Sequence, residues 1–160
     1  MPSPEGSSVR FRRVPASLRR AGIERFARRL QKDVAKGWAF DILITGDAEL
    51  RRLNRDFRRQ DYATDVLSFP AVWQPTLPKP RPSGSAPFLG DIAISLGRAR
   101  AQAREFGHSI EQEVQILMLH GVLHLCGHDH EADSGAMARA EKRWRAKLGL
   151  PNGLIERVRS

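Results

Sequence analysis

WAFDILITGDAELRRLNRDFR, residues 38–58, decides the fold. Its first eight residues are rich in aromatic and β-branched side chains, which suit a pleated, half-buried strand. Gly46 and Asp47 interrupt the run, in positions that can open and cap a helix. Beyond them, Leu50, Leu53 and Phe57 recur at three- and four-residue intervals, the spacing of a buried helix face that runs to Arg58. A strand that feeds directly into a helix points to a layered α and β architecture.

The same pattern extends in both directions. Upstream, residues 9–14 alternate weakly as a strand, with Val9 and Phe11 on one side and Arg10 and Arg12 on the other. Residues 16–36 set Ile23, Phe26, Ala27, Leu30 and Val34 at helical spacing, with arginines on the other faces. Downstream, VLSFPA (66–71) reads as a strand. Residues 72–87 are dense in Pro, Ser and Gly and read as a loop. FLGDIAIS (88–95) is a fourth strand, and its Ser95 can cap a helix that stops at Gly107. Ser109 with Gln112 three residues on is a capping-box pattern, and Glu111 and Glu113 favour the positive end of the helix dipole. That helix runs to Cys126 and stops at Gly127. A last helix covers 132–148, with Met137, Ala140, Trp144 and Leu148 inward.

The order β-α-β-α-β-β-α-α-α predicts a single α+β domain over residues 1–160, with 1–8 as a loose tail. Its sheet should be small, mixed and four-stranded, covered by helices. Strands joined through helices should run parallel, and the two joined by the 72–87 loop can be antiparallel.

Composition narrows the function. Lys and Arg number 27 against 18 Asp and Glu, a net charge of +9. Guanidinium groups grip phosphate in a bidentate way, so a nucleic-acid partner fits first. Solvated arginine faces would give the same balance. No run of eighteen apolar residues exists, so a membrane partner is not expected. The N-terminus lacks the apolar core of a secretory signal, and a single cysteine, Cys126, cannot build an internal disulfide framework. A cytoplasmic location is the expectation.

HGVLHLCGHDH, residues 120–130, carries the chemistry. His120 and His124 stand four apart on a predicted helix, so both imidazoles share a face and can reach one ion. Gly127 ends the helix and lets the chain return His130 to the same place, an H-x3-H-x5-H set on a helix-turn. Three imidazoles leave a fourth position open, as in catalytic zinc sites. One divalent ion, with zinc as the expected metal, follows. The spacing is also that of metzincin proteases, but those place a glutamate base directly after the first histidine, where this chain has Gly121. Gly121 lowers helix propensity, and room for a bulky substrate beside the ion is one reading of it.

The segment also resembles the signature H-G-x-L-H-L-x-G-Y-D-H of the YbeY family, bacterial endoribonucleases of ribosomal RNA maturation. Asn54-Arg55-Asp56-Phe57-Arg58 resembles the family's N-x-x-[FY]-R, and Thr64-Asp65-Val66-Leu67-Ser68-Phe69-Pro70 its T-D-V-L-S-F-P. Gly90-Asp91-Ile92-Ala93-Ile94-Ser95 resembles its G-D-I-x-I-S strand. The likeness spans residues 38–150 in order. It implies a single-strand-specific, metal-dependent endoribonuclease acting in 3′-end maturation of 16S ribosomal RNA and in ribosome quality control. It also implies His120, His124 and His130 as metal ligands, with Arg58, His120 and His124 as catalytic residues. Single-stranded RNA, ribosomal RNA precursors, the small ribosomal subunit and its assembly factors are the implied partners. Arg51, Arg55 and Arg59 join Arg58 on one helix and could hold flanking phosphates. Two alternatives stay open: a ribosome-associated maturation factor with a mainly structural metal, and a metzincin-like metalloprotease.

One departure stands out. The family usually has Tyr where this chain has His128, which reads as a non-ligand because His130 holds the matching position. Asp129 could orient a ligand imidazole or cap the turn. Cys126 and Met137 read as packing residues, and His108 as a helix-end residue. Thr64, Asp65 and Ser68 could line the cleft, although turn formation explains the first two nearly as well.

Overall fold

The computed structural model describes residues 6–61, 64–71, 87–127 and 135–151. Nine elements follow in the expected order: β1 (Ser8–Phe11), α1 (Arg20–Asp33), β2 (Ala39–Thr45), α2 (Asp47–Arg58), β3 (Val66–Pro70), β4 (Phe88–Ser95), α3 (Leu96–Phe106), α4 (Ile110–Leu125) and α5 (Ala136–Leu148). They form a small single-domain α+β fold with a four-stranded mixed sheet. Strand order is β1-β2-β4-β3. β1 and β4 each run parallel to β2, whereas β3 is antiparallel to β4. The two strands flanking residues 72–87 are therefore the antiparallel pair, as expected from the sequence.

Register sorts the sheet into two faces. Phe40 lies opposite Gly90, Ile42 opposite Ile92 and Ile44 opposite Ile94, and all six are buried. This face belongs to the main core, with Ile23, Phe26 and Leu30 of α1 and much of α4. The alternate residues turn to the other face, where Leu67 and Ala93 form a small second cluster with Leu50 of α2. A helix thus covers each side of the sheet.

α4 is buried nearly all round, from Val114 through Leu123. A helix apolar on every side belongs inside the fold. It packs on β3 and β4 and is enclosed by α1, α3 and α5. Its capping box is formed: the Ser109 hydroxyl accepts from the Gln112 N–H at 3.1 Å, and the Gln112 side-chain oxygen accepts from the Ser109 N–H at 3.1 Å.

Two glycines set how closely the layers approach. Gly90 has φ +148°, and a Cβ there would lie 2.3 Å from the Phe69 carbonyl oxygen of the neighbouring strand. Gly121 faces the sheet from α4, where a Cβ would lie 2.9 Å from Ile92 Cγ2. The space at Gly121 is therefore filled by Ile92, and it offers no room for a substrate. Helix-to-sheet contact is what calls for glycine here.

Other boundaries move for identifiable reasons. The tail is shorter than eight residues: Ser7 is buried, its hydroxyl accepts from the Phe40 N–H at 3.0 Å, and Ser8 already lies in β1. β1 ends at Phe11 because Arg13 takes a left-handed φ of 57°. α1 starts at Arg20, after a turn in which the Leu18 N–H donates to the Pro15 carbonyl at 3.2 Å. Phe57 was expected in the core but is 66% exposed. It sits in the last turn of α2 on the wall of an open cleft over the sheet, with its ring centroid 5.6 Å from that of Phe69, edge to face. Most of the 72–87 loop lies outside the described residues.

Candidate active site

α4 supplies the first half of the site. Four residues of helix bring the His120 and His124 rings to 4.8 Å between centroids, edge to face at 63°. Both lie on the same side of α4, as the spacing predicted. His120 is buried, and its Nδ1 is 2.8 Å from Oε2 of Glu141, which is 1% exposed. A carboxylate oxygen accepts, so Nδ1 carries the hydrogen, and Nε2 is the ring nitrogen that can serve as a ligand. A buried carboxylate that fixes the tautomer and tilt of an imidazole is the usual support of a metal-binding histidine. His120 and His124 thus fit a divalent ion by donor chemistry, although among the described residues no third ligand joins them. His128, Asp129 and His130 lie outside the described residues.

Glu141 went unnoticed in the sequence although a signal was present. Met137, Ala140, Trp144 and Leu148 define the inward face of α5, and Glu141 falls on the same stripe, four residues past Met137. A glutamate among core positions is rarely buried without a partner. Met137 is fully buried core, as read. Burial pushes the Cys126 thiol up to about 11, the behaviour of a packed cysteine. His108 does more than end a helix: its Nε2 lies 2.6 Å from Oε1 of Glu113, and the two side chains are 7% and 0% exposed.

α2 and β3 supply the second half. Arg58 is the last residue of α2, followed by Arg59 in a left-handed cap at φ 56°. That end points the Arg58 guanidinium across β3, where Nη2 donates to the Ser68 carbonyl at 3.0 Å. The Ser68 hydroxyl in turn donates to the Gly121 carbonyl at 3.4 Å. A chain of contacts therefore leads from Arg58 through Ser68 to the turn of α4 that holds His120. Asp65 has structural work instead: its carboxylate accepts from the Val66 N–H at 2.8 Å and from Gln102 Nε2 at 3.1 Å.

The arginines of α2 are not equivalent. Arg51 pairs with Asp61 at 2.7 Å, Arg52 with Glu49 at 3.5 Å and Arg55 with Asp56 at 3.2 Å. The side-chain hydrogen bond to Asp61, then its charge, raises the Arg51 pKa, and the same bond lowers that of Asp61. Among the described residues no carboxylate pairs with Arg58 or Arg59. Uncompensated cation is therefore concentrated at the end of α2 nearest Ser68.

A cleft of about 400 Å³ opens on the opposite face of the sheet, lined by Arg10, Asp41, Leu53, Phe57, Phe69 and Asp91 among others. It is remote from the histidines, which lie behind the sheet from there. The Asp91 carboxyl is pushed above its ordinary range, first by partial desolvation and then by the neighbouring Asp41 charge, against the opposite pull of Arg10.

Comparison with known proteins assigns the family. The family model described as Endoribonuclease YbeY matches residues 13–149. The chain belongs to the YbeY family of endoribonucleases. That membership places it among hydrolases acting on RNA. A curated endoribonuclease YbeY from Solibacter usitatus is 74% identical over 160 residues, covering all of both chains. Another from Koribacter versatilis is 47% identical over 143 residues, covering 89% of this chain and 86% of its own. The solution structure of a Thermotoga maritima protein superposes with a TM-score of 0.54 at 26% identity, covering 87% of this chain and 93% of its own. The match to YbeY spans both halves of the site: the Arg58 end of α2, β3 and the histidine helix. In the fold, Ser68 links the Arg58 end of α2 to the turn of α4 that carries His120.

Proposed function

We propose that this YbeY-family chain is a single-strand-specific, metal-dependent endoribonuclease that matures ribosomal RNA precursors, including the 3′ end of the small-subunit RNA. It would act in the cytoplasm on the small ribosomal subunit, with assembly factors as partners and ribosome quality control as part of its role. One zinc-class ion would be held by His120, His124 and His130, and when bound it supplies Lewis acidity to a phosphodiester. The observation that carries this reading is the buried Glu141–His120 hydrogen bond at 2.8 Å beside the His124 ring. A carboxylate and an imidazole are costly to bury, and a ligand role for the imidazole gives that cost a function.

The chain's own residues have separate tasks. Glu141 keeps His120 in one tautomer and orientation. Arg58, tied to β3 by one of its five donors, offers the remaining N–H groups to a phosphate and to charge that develops there. Arg59, with Arg51 and Arg55 in weaker roles because each already has an acidic partner, holds flanking phosphates without reading sequence.

The test is metal analysis of purified protein together with cleavage assays on single-stranded RNA, duplex RNA and casein, each with and without chelator. The expected result is about one divalent ion per chain, consistent with a three-histidine site. Single-stranded RNA alone should be cut, and only with metal present. His120→Ala, His124→Ala and His130→Ala should each lose tight metal binding, and His128→Ala should keep it. Cleavage of casein would indicate a protease. Chelator-sensitive folding without RNA cleavage would indicate a maturation factor with a structural metal.

A further inference from the structure

β3 forms one margin of the sheet, and its outward backbone groups can be counted. The Ser95 N–H donates to the Asp65 carbonyl at 2.9 Å, and the Ala71 N–H donates to the Leu89 carbonyl at 3.0 Å. These two pairs fix the parity of the ladder. Residues 66, 68 and 70 therefore turn their backbone groups away from β4. The Val66 N–H is taken by the Asp65 carboxylate at 2.8 Å. Pro70 has no N–H, which suits a margin position. The Ser68 carbonyl is taken by Arg58 at 3.0 Å. The Val66 and Pro70 carbonyls also face outward, and of the N–H groups the one left is that of Ser68, which meets no acceptor among the described residues and lies on a half-buried residue.

We propose that the Ser68 backbone N–H and the Arg58 guanidinium form one phosphate cradle for the RNA backbone. The proposal rests on the RNA-cleaving reading and adds a donor that the family resemblance does not supply. The N–H and C=O of an outward-facing strand residue project to the same side, so the guanidinium on the Ser68 carbonyl stands beside the Ser68 N–H. A bare carbonyl there would repel a phosphate. Covered by Arg58, it is offset, and residue 68 itself presents donors only. The same cover argues against a polypeptide strand as the occupant, because strand addition needs the carbonyl as acceptor as well as the N–H. The Ser68 hydroxyl on the Gly121 carbonyl holds the cradle against the turn of α4 that carries His120. A phosphate in the cradle would therefore be held beside that turn.

Ser68 can be tested by one spectroscopic and one kinetic experiment. In ¹⁵N-labelled full-length protein, a mixed-sequence 2′-O-methyl oligoribonucleotide, which resists cleavage, is titrated while the Ser68 amide and the Arg58 Nε–H are followed. Both should move downfield together, and in the free protein the Ser68 amide should exchange with solvent faster than those of Leu67 and Phe69. In the kinetic arm Ser68→Pro, which removes the N–H from a position that spares the ladder, is compared with Ser68→Ala, which keeps it. Ser68→Pro should be slower than Ser68→Ala by about a hundredfold, the usual effect of losing one oriented donor. A shift at Arg58 with an unmoved Ser68 amide would overturn the cradle and leave the RNA reading standing. No shift at either group, with no cleavage by the parent protein, would remove both. The titration uses the unmutated chain, so it decides the matter even if Ser68→Pro does not fold.

Discussion

Gly121→Ala isolates the contact that seats the histidine helix on the sheet. The new methyl group would lie 2.9, 3.0 and 3.2 Å from Cγ2, Cδ1 and Cγ1 of Ile92. Ile92 is 1% exposed and has nowhere to move. Overpacking of this kind costs roughly 1–3 kcal/mol. Alanine in place of glycine returns about 1 kcal/mol of helix propensity. The expected net loss is therefore about 0–2 kcal/mol, or up to roughly 8 °C in Tm for a chain of this size. Size alone does not identify the cause, so a second background is needed. Ile92→Ala removes all three contacting atoms and costs about 2–5 kcal/mol by itself. In that background Gly121→Ala should stabilise by about 1 kcal/mol, because the propensity gain remains and the clash is gone. The coupling between the two sites should then be roughly 1–3 kcal/mol. Urea unfolding of the four proteins, all with chelator present so that metal binding does not add to stability, measures it. Equal effects of Gly121→Ala in both backgrounds would refute the packing account. Lost activity with unchanged stability would revive the idea that Gly121 makes room for substrate.

Three further outcomes follow from the same contacts. Glu141→Ala should weaken metal binding about 10–100-fold, measured by competition with a chelating dye, and Glu141→Gln should restore part of it; undiminished affinity in both would detach the carboxylate from the site. His108→Ala removes the group 2.6 Å from the Glu113 carboxylate and should cost about 1–3 kcal/mol in urea unfolding, and a loss near zero would mean that the other contacts of Glu113 suffice. Asp91 has a raised pKa in the folded state, so its contribution to stability is present below the ordinary carboxylate pKa and is lost as pH rises through the raised value; Asp91→Asn should therefore lift Tm slightly at pH 7 and not at pH 3, and a lift of equal size at both would assign it to something other than charge.

The fold was legible where one period dominated. β2 and β4 are short β-branched runs, α4 opens with a capping box, and the antiparallel pair agrees with the Pro-, Ser- and Gly-rich composition of residues 72–87. Sequence reading failed where a side chain's fate depends on the reach of a neighbouring layer. Phe57 continues the apolar period of α2, but periodicity does not say whether the layer beneath closes over it, and here a cleft is left open. Gly121 was read as space because its neighbour in the next layer, Ile92, is 29 residues away in sequence. At the site, the His120–His124 pairing is local and could be read from a spacing of four. The Glu141, Ser68 and Gly121 contacts are long-range, separated by 21 residues in one case and 53 in another. Only the oddity of a glutamate on an inward stripe hinted at the first of them.

The overall charge of +9 was weak evidence for an RNA substrate, since solvated arginines would give the same number. Pairing is more discriminating than the total. Along α2, Arg51, Arg52 and Arg55 each stand within 3.5 Å of a carboxylate, and exposed pairs of this kind contribute little to stability. Their effect is to cancel positive potential over the first three turns. At the helix end the pattern stops, and Arg58 and Arg59 have no acidic neighbour among the described residues. Cations are favoured there by the carbonyl end of the helix dipole, so leaving them without carboxylates costs the fold little. Arg58 then turns to a backbone carbonyl, which anchors a guanidinium without neutralising it. Along α2, then, the arginines without a carboxylate are those at the helix end, and one of them is held at the margin of β3. Here Arg58 stands next to an open backbone N–H and one serine away from the histidine helix.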